Sequence, residues 1–256
     1  MEKITAVIIT RNEEKNITDC LRALDFVEDI IVVDCGSSDK TVLLAREYTK
    51  NIFFHEWSGY AEQKNYGISL AKSEWILSID ADERVTKKLK KEIIELDFTA
   101  EGYYFPRKNY FLGKWLKHGR QYPDHQLRLF RRSAGKFSYE SKDVHETVKL
   151  PPDKTAKLNN PMLHFSYNSI PGYFHKYDCY TYLDANGRFR RNFKPSLYGI
   201  FIRPVNRFIK WYLIKLGFLD GLRGLLYYLF SSFYIFTAEK KLFKMYHRHN
   251  DNKLKN

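Results

Sequence analysis

The stretch Trp75-Ile-Leu-Ser-Ile-Asp-Ala-Asp-Glu-Arg-Val85 runs from an apolar strand into three carboxylates, Asp80, Asp82 and Glu83, within four residues. Carboxylates this close repel unless a cation or hydrogen-bond donors lie among them, so the sequence predicts either a metal site or a solvated strand-to-helix turn. An Asp-x-Asp at a strand end sends two carboxylates into one cleft. Hard oxygen ligands beside water and a substrate phosphate are what Mg²⁺ or Mn²⁺ prefers.

Working outward, three further runs share the character of residues 75–80. ITAVIIT (4–10), DIIVVD (29–34) and NIFFH (51–55) are short, rich in β-branched or aromatic residues, and bounded by polar ones, as strands are. Between them Glu14–Leu24, Asp39–Tyr48 and Tyr60–Ala71 place apolar residues at helical spacing. Thr86 is positioned to cap a helix over KKLKKEIIEL, and Asp39 to cap the helix that follows CGSSD. Strand and helix in alternation imply a parallel sheet covered on both faces. In such sheets ligands collect beyond the C-terminal strand ends, where Thr10 to Glu13, Asp34 to Asp39 and Asp80 to Glu83 all fall. An acidic residue such as Asp34 can there accept from a base N–H or a ribose hydroxyl.

From about Gly102 the pattern changes to aromatic-rich pieces that read as antiparallel strands and long loops. The aromatics of residues 103–122 are suited either to stacking on sugars or to a core. Beyond Ile170 helical patterns return. Of the net charge of +13, residues 1–160 carry +2 and residues 161–256 carry +11. A basic, aromatic C-terminal segment points to an anionic partner. No nucleic-acid-binding motif accompanies it, so a membrane surface is expected in place of nucleic acid. The longest uncharged run, Gly224–Ala238, is shorter than the ~20 residues a spanning helix needs, which predicts helices lying on or dipping into the membrane face. Three scattered cysteines, Cys20, Cys35 and Cys179, have no zinc-ligand spacing, and reduced thiols in the cytoplasm are expected. The apolar run before Arg11 is too short for a signal peptide, so the mature chain is expected to begin here.

AVIITRNEE, IIVVDCGSSDKT, AEQKNYGISLA and WILSIDADE, in that order, resemble the N-terminal motifs of the family 2 glycosyltransferases. YPDHQLRLFRR, VHE, HFSY and GFLDGLRGLLY are similar to the lipopolysaccharide core glucosyltransferases that extend an inner-core heptose. The resemblance implies a GT-A α/β fold: a catalytic domain over 1–168, with a nucleotide-sugar half (1–100) and an acceptor half (101–168). A helical membrane-associating region (169–248) and a frayed tail (249–256) follow. It implies inverting transfer of a hexose, glucose first, from a UDP-sugar to a lipid-linked saccharide at the inner face of the cytoplasmic membrane, with Mg²⁺ or Mn²⁺.

By the same resemblance Thr10, Arg11, Glu13, Asp34, Lys64, Asp80 and Arg128 hold the nucleotide sugar and Asp82 ligates the metal, with Asp80 and His145 as further candidates. Cys35 stands where many relatives have a second Asp, which leaves the nucleoside contact on Asp34. Asp124 occupies the place of the catalytic base, unless it is a loop Asp paired with Arg128, and Glu146 is the rival base. Arg131 and Arg132 join Arg128 as candidate phosphate ligands, and His164 has no evident partner. The alternatives are a polyprenyl-phosphate sugar transferase, whose phosphate nucleophile needs no strong base, and a non-catalytic glycan-binding protein of the same fold.

Overall fold

The computed structural model describes residues 2–139, 146–167 and 169–254. In chain order the elements are β1 (Ile4–Thr10), α1 (Ile17–Arg22), β2 (Asp29–Asp34), α2 (Thr41–Ala45), β3 (Ile52–Phe54), α3 (Tyr60–Leu70), β4 (Trp75–Asp80), β5 (Glu83–Arg84) and α4 (Lys87–Ile94). There follow β6 (Gly102–Phe111), β7 (Lys114–Trp115), β8 (Asp124–Arg131), β9 (Phe137–Tyr139), β10 (Glu146–Val148), β11 (Thr155–Lys157), β12 (Met162–Tyr167), α5 (Ile170–Arg190), α6 (Arg203–Phe208) and α7 (Gly221–Leu254).

The main sheet has the order β3-β2-β1-β4-β8-β6-β12-β5. Its first four strands are parallel, and β8 joins β4 and β6 in antiparallel fashion. The expected mixed α/β architecture of the GT-A type is therefore present. Period-two alternation along each strand feeds two cores. Ile4, Ala6, Ile8, Trp75, Leu77 and Ile79 pack on one face with α1, α2 and α4, while Val7, Ile31, Val33 and Ile76 pack on the other with α3.

Two helices are shorter than their periodicity predicts. Glu14–Asn16 forms turns, with Asn16 N and Ile17 N both donating to Glu13 O, before α1 begins at Ile17. Asp39 Oδ1 accepts from Thr41 N, which shortens the second helix to Thr41–Ala45. The Thr86 cap is as expected: its Oγ1 accepts from Leu89 N at 3.2 Å.

Gly67 on α3 sits against the sheet, and a Cβ there would lie 2.4 Å from Val7 Cγ1 and 3.0 Å from Val33 Cγ2. Alanine favours helix over glycine by about 1 kcal/mol, but overpacking costs about 1–3 kcal/mol. Gly67→Ala is therefore expected to lower stability, read as a lower urea midpoint. An unchanged or raised midpoint would mean that α3 shifts freely away from β1.

The chain forms two compact units, the first of Met1–Lys108, Pro123–Tyr139 and Glu146–Phe165. Asn109–Tyr122 belongs with the residues from Ser166 onward in the second unit, so the partition is not the simple one at residue 168 that the sequence predicts. In the second unit Phe111 and Leu116 join Tyr173 and Tyr177 in a core backed by Tyr227 and Phe230, so the aromatic stretch supplies core. The GFLDGLRGLLY motif clamps this unit. Asp220, 2% exposed, accepts from Lys117 N and His118 N and pairs with His118 Nδ1, and Gly224 lies so close to Gly217 O that a Cβ would be 2.4 Å away. The tail expected from 249 continues α7 as far as Leu254, because no helix breaker interrupts HNDNKL. Among the described residues no helix is long and apolar enough to cross a membrane.

Candidate active site

In the first unit the C-terminal ends of β1, β2 and β4 lie side by side, with Thr10 in register with Asp34 and Ile9 with Asp80. The two loops leaving β1 and β2 are stitched together. Asn12, at φ 55°, gives its N–H to Ser37 Oγ and accepts from Ser38 N, while Glu13 N donates to Thr41 Oγ1. Asp34, 6% exposed, folds its own loop: Oδ2 accepts from Gly36 N and Ser37 N at 2.9 Å, and Oδ1 from Ser37 Oγ. Glu13 Oε2 accepts from Asn16 Nδ2, and Arg11 is exposed at the loop surface. Thr10 is 5% exposed, and its Oγ1 is buried without a hydrogen-bond partner among the described residues.

Below this edge runs a chain of alternating charges. Glu146 Oε1 accepts from Lys64 Nζ (2.7 Å), which also meets Asp80 Oδ1 (2.9 Å). Asp80 Oδ2 accepts from Arg128 Nη2 (2.7 Å), and the same nitrogen reaches Glu83 Oε1 (2.5 Å). Arg107 Nη1 meets Glu83 Oε1 (3.2 Å), and its Nε and Nη2 donate to Asp124 Oδ2 at 2.9 and 2.7 Å. Gln126 Nε2 caps the row on Asp124 Oδ1 at 2.7 Å. Lys64 and Arg128 are 2% and 5% exposed and Glu83 is fully buried, so these charges are viable only because each has an opposite neighbour.

The three clustered carboxylates thus have three different environments. Asp80 lies between two cations, and Glu83 turns inward, with Oε2 accepting from Asp80 N at 3.1 Å. Asp82 Oδ1 stands 3.6 Å from His164 Nε2, brought there by β12, whose His164 pairs with Glu83 of β5. The Asp82 carboxylate, with oxygens of water and diphosphate as further ligands, fits Mg²⁺ or Mn²⁺, and the His164 imidazole beside it is a nitrogen donor better suited to Mn²⁺ than to Mg²⁺. Among the described residues no cluster of three or more His, Cys, Asp or Glu is arranged to hold a metal ion, and His145 lies outside the described residues.

Three relationships escaped sequence reading. Arg107 is the partner of Asp124, as the cross-strand neighbour in the β6–β8 ladder, where the alternative to a base role names Arg128. Its signal is faint but present: Tyr103, Phe105 and Arg107 share one face of β6, so a cation continues an apolar row. Glu83 and His164 had no assigned role because Glu83 meets cations carried by β8 and β6, and His164 meets Asp82 only through the β5–β12 pairing. Arg131 and Arg132 sit at the other end of β4, where Arg131 lies over the Trp75 ring and Arg132 donates to Ala71 O.

Burial opposes ionisation of Asp80, but Arg128 and Lys64 outweigh it and hold the carboxyl well below the ordinary carboxylate range. Burial likewise opposes the Lys64 ammonium, and Asp80 and Glu146 outweigh it and raise the amine above its ordinary value. The stability contributed by Asp80 is complete above the unfolded value of about 3.9 and is lost as pH falls below it; that of Lys64 is complete below about 10.4 and is lost as pH rises further. The urea midpoint is expected to fall between about pH 5 and pH 2.5 by more in the native chain than in Asp80→Asn. Equal acid slopes in the two proteins would show that Asp80 does not carry this linkage.

The profile of the Glycosyl transferase family 2 matches residues 5–147. A lipopolysaccharide core biosynthesis glycosyltransferase, LpsC of Rhizobium meliloti, is 27% identical over 249 residues, spanning 94% of this chain and 92% of its own. An uncharacterized glycosyltransferase of Rickettsia bellii is 28% identical over 94% of this chain and 86% of its own. The crystal structure of S. aureus TarS 1-349 in complex with UDP-GlcNAc aligns over 96% of this chain and 92% of that one, at 15% identity and a TM-score of 0.48. The family match takes in the strand-end loops, Lys64, the Asp80–Glu83 cluster and Glu146 alike, and on that extent the chain belongs to glycosyl transferase family 2.

Proposed function

We propose that the chain is an inverting enzyme that moves a hexose, glucose in the first instance, from its UDP-sugar to a lipid-linked saccharide such as the inner core of lipopolysaccharide, working at the inner face of the cytoplasmic membrane. The observation that carries this reading is the strand-end row. Thr10 Oγ1, buried and without a partner among the described residues, borders Asp34 on one side, and on the other side its strand neighbours the one that ends at Asp80 and leads to Asp82. That spacing suits a nucleoside at Thr10, Glu13 and Asp34, with its diphosphate toward Arg11, Asp82 and Lys64. The role carried in the name of the Rhizobium meliloti LpsC relative supports the lipopolysaccharide-core acceptor.

Asp82 and His164 are the residues that would hold Mg²⁺ or Mn²⁺, which supplies positive charge to the departing diphosphate. The chain's own groups perform the rest. The acceptor oxygen forms a bond to the anomeric carbon while the bond from that carbon to the β-phosphate oxygen breaks and takes its electron pair to UDP. The acceptor proton passes to a carboxylate on the opposite side, and one in-line displacement inverts the anomeric centre.

Two carboxylates compete for that proton. Asp124 commits Oδ2 to Arg107 and Oδ1 to Gln126. Glu146 commits Oε1 to Lys64 and, among the described residues, leaves Oε2 to the substrate. A base needs an oxygen open to the attacking hydroxyl, which favours Glu146 as base with Asp124 as a positioning residue, the reverse of the order expected from sequence.

The test is donor consumption. The purified chain, Mg²⁺ or Mn²⁺ and a panel of UDP-, GDP- and dTDP-sugars are followed for nucleoside diphosphate release with and without bacterial core lipid. Consumption of one UDP-sugar, dependent on acceptor and lost in Asp82→Ala, is expected. Normal turnover by Asp82→Ala across the panel would remove Asp82 from the site.

A further inference from the structure

The second unit carries a surface that sugar transfer does not use. Helical turns run from Tyr198 to Ile214, π-helical over Tyr198–Ile202 and Ile209–Ile214, with α6 between them. Leu197, Phe201, Val205, Ile209 and Leu213 recur at every fourth position, and each is between 40% and 69% exposed. The opposite face holds the small and charged residues. Gly199 lies so close to Glu239 that a Cβ would be 2.8 Å from its carboxyl carbon. Glu239, 1% exposed, pairs with Arg203 and Arg188, and Arg207 Nε donates to Ser231 Oγ at 3.2 Å.

A helix on a water-facing surface turns its ions outward and its apolar stripe inward. This segment departs from that pattern: its Arg203 turns to the buried Glu239 and its Arg207 to Ser231, while the apolar stripe stays exposed. Isolated exposed apolar residues are ordinary, but a continuous stripe marks an interaction surface.

Charge decides the occupant. From Asn186 to Ala238 there are nine Lys or Arg and a single acidic residue, Asp220, which is 2% exposed. Lys194, Lys210, Lys215 and Arg223 are exposed along the same segment. A second copy would bring like charges together, and a nucleic acid offers nothing to an aliphatic stripe. An anionic lipid surface satisfies both features.

We infer that residues 197–214 form an in-plane docking surface for an anionic bilayer, with Phe201, Ile209 and Leu213 in the acyl boundary and Lys194, Lys210 and Lys215 at the lipid phosphates. This rests on the membrane attachment proposed above and narrows it to one segment. The apolar side chains are already exposed, so replacing them leaves the core of the unit untouched.

Flotation of the full chain with phosphatidylglycerol/phosphatidylcholine vesicles tests it, with vesicles of phosphatidylcholine alone in parallel. The native chain is expected to float with the anionic vesicles and less with the neutral ones. The triple variant Phe201→Ser, Ile209→Ser, Leu213→Ser should lose about a hundredfold in partition at an unchanged circular dichroism spectrum. Lys194→Glu with Lys210→Glu and Lys215→Glu should lose binding to the anionic vesicles selectively, as should raised salt. If the native chain floats and the serine variant floats equally, attachment stands and this segment is not its site. If the native chain floats with neither vesicle, the attachment itself fails. Sedimentation as a dimer that the serine variant dissociates would assign the stripe to a second copy and overturn the inference.

Discussion

Glu146→Gln is expected to lower the rate of sugar transfer by about a thousandfold, within the range that a positioned general base contributes. Glutamine keeps an oxygen for Lys64 and preserves the side-chain volume, so the loss should fall on kcat, with donor binding little changed. Asp124→Asn should behave differently. It weakens the pairing with Arg107 and thereby the hold on Glu83 and Arg128, and about a tenfold loss shared between kcat and KM is expected of a positioning role. Measuring both variants with one donor and acceptor separates the cases. A thousandfold loss in Asp124→Asn alone would return the base to Asp124. Full activity in both would favour the polyprenyl-phosphate alternative, whose nucleophile needs no deprotonation.

Arg128→Met is expected to destabilise the first unit by about 3–5 kcal/mol, the scale on which a buried pair fails when one partner is removed. Arg128 neutralises Asp80 and Glu83 together, and without it Lys64 and Arg107 face four carboxylates: Glu146, Asp80, Glu83 and Asp124. A loss of this size is a large part of the 5–15 kcal/mol that typically separates folded from unfolded domains. The urea midpoint reads it. Combining Arg128→Met with Glu83→Gln should recover part of the loss, because the second change removes a stranded charge, and the coupling between the two is measurable in a double-mutant cycle. A single variant within about 0.5 kcal/mol of the native chain would mean that water enters and screens the row.

How legible this was in the sequence varied with the range of the interactions. The four parallel strands were readable because each is a short apolar run whose alternation serves both faces of the sheet, and the loops at Thr10, Asp34 and Asp80 followed from strand direction. Helix ends were less readable: Glu14–Asn16 and Asp39 satisfy backbone groups locally, and that competes with helix in a way apolar periodicity does not register. The pairing of charges was least readable. Which cation meets Asp124 depends on the register between β6 and β8, and which side chain meets Asp82 depends on β12 returning beside β5, contacts made across 17 and 82 residues of sequence respectively. The division of the chain was obscured likewise, since residues 109–122 sit among strand-forming sequence yet pack with α5 and α7.

The most direct measurement is transfer of labelled hexose from UDP-glucose to lipopolysaccharide core acceptor by the purified chain, with the anomeric configuration of the new bond read by NMR. The result predicted is acceptor-dependent UDP release matched by product of inverted configuration, and its loss in Glu146→Gln. Product with retained configuration, or UDP released at the same rate whether or not acceptor is present, would contradict it.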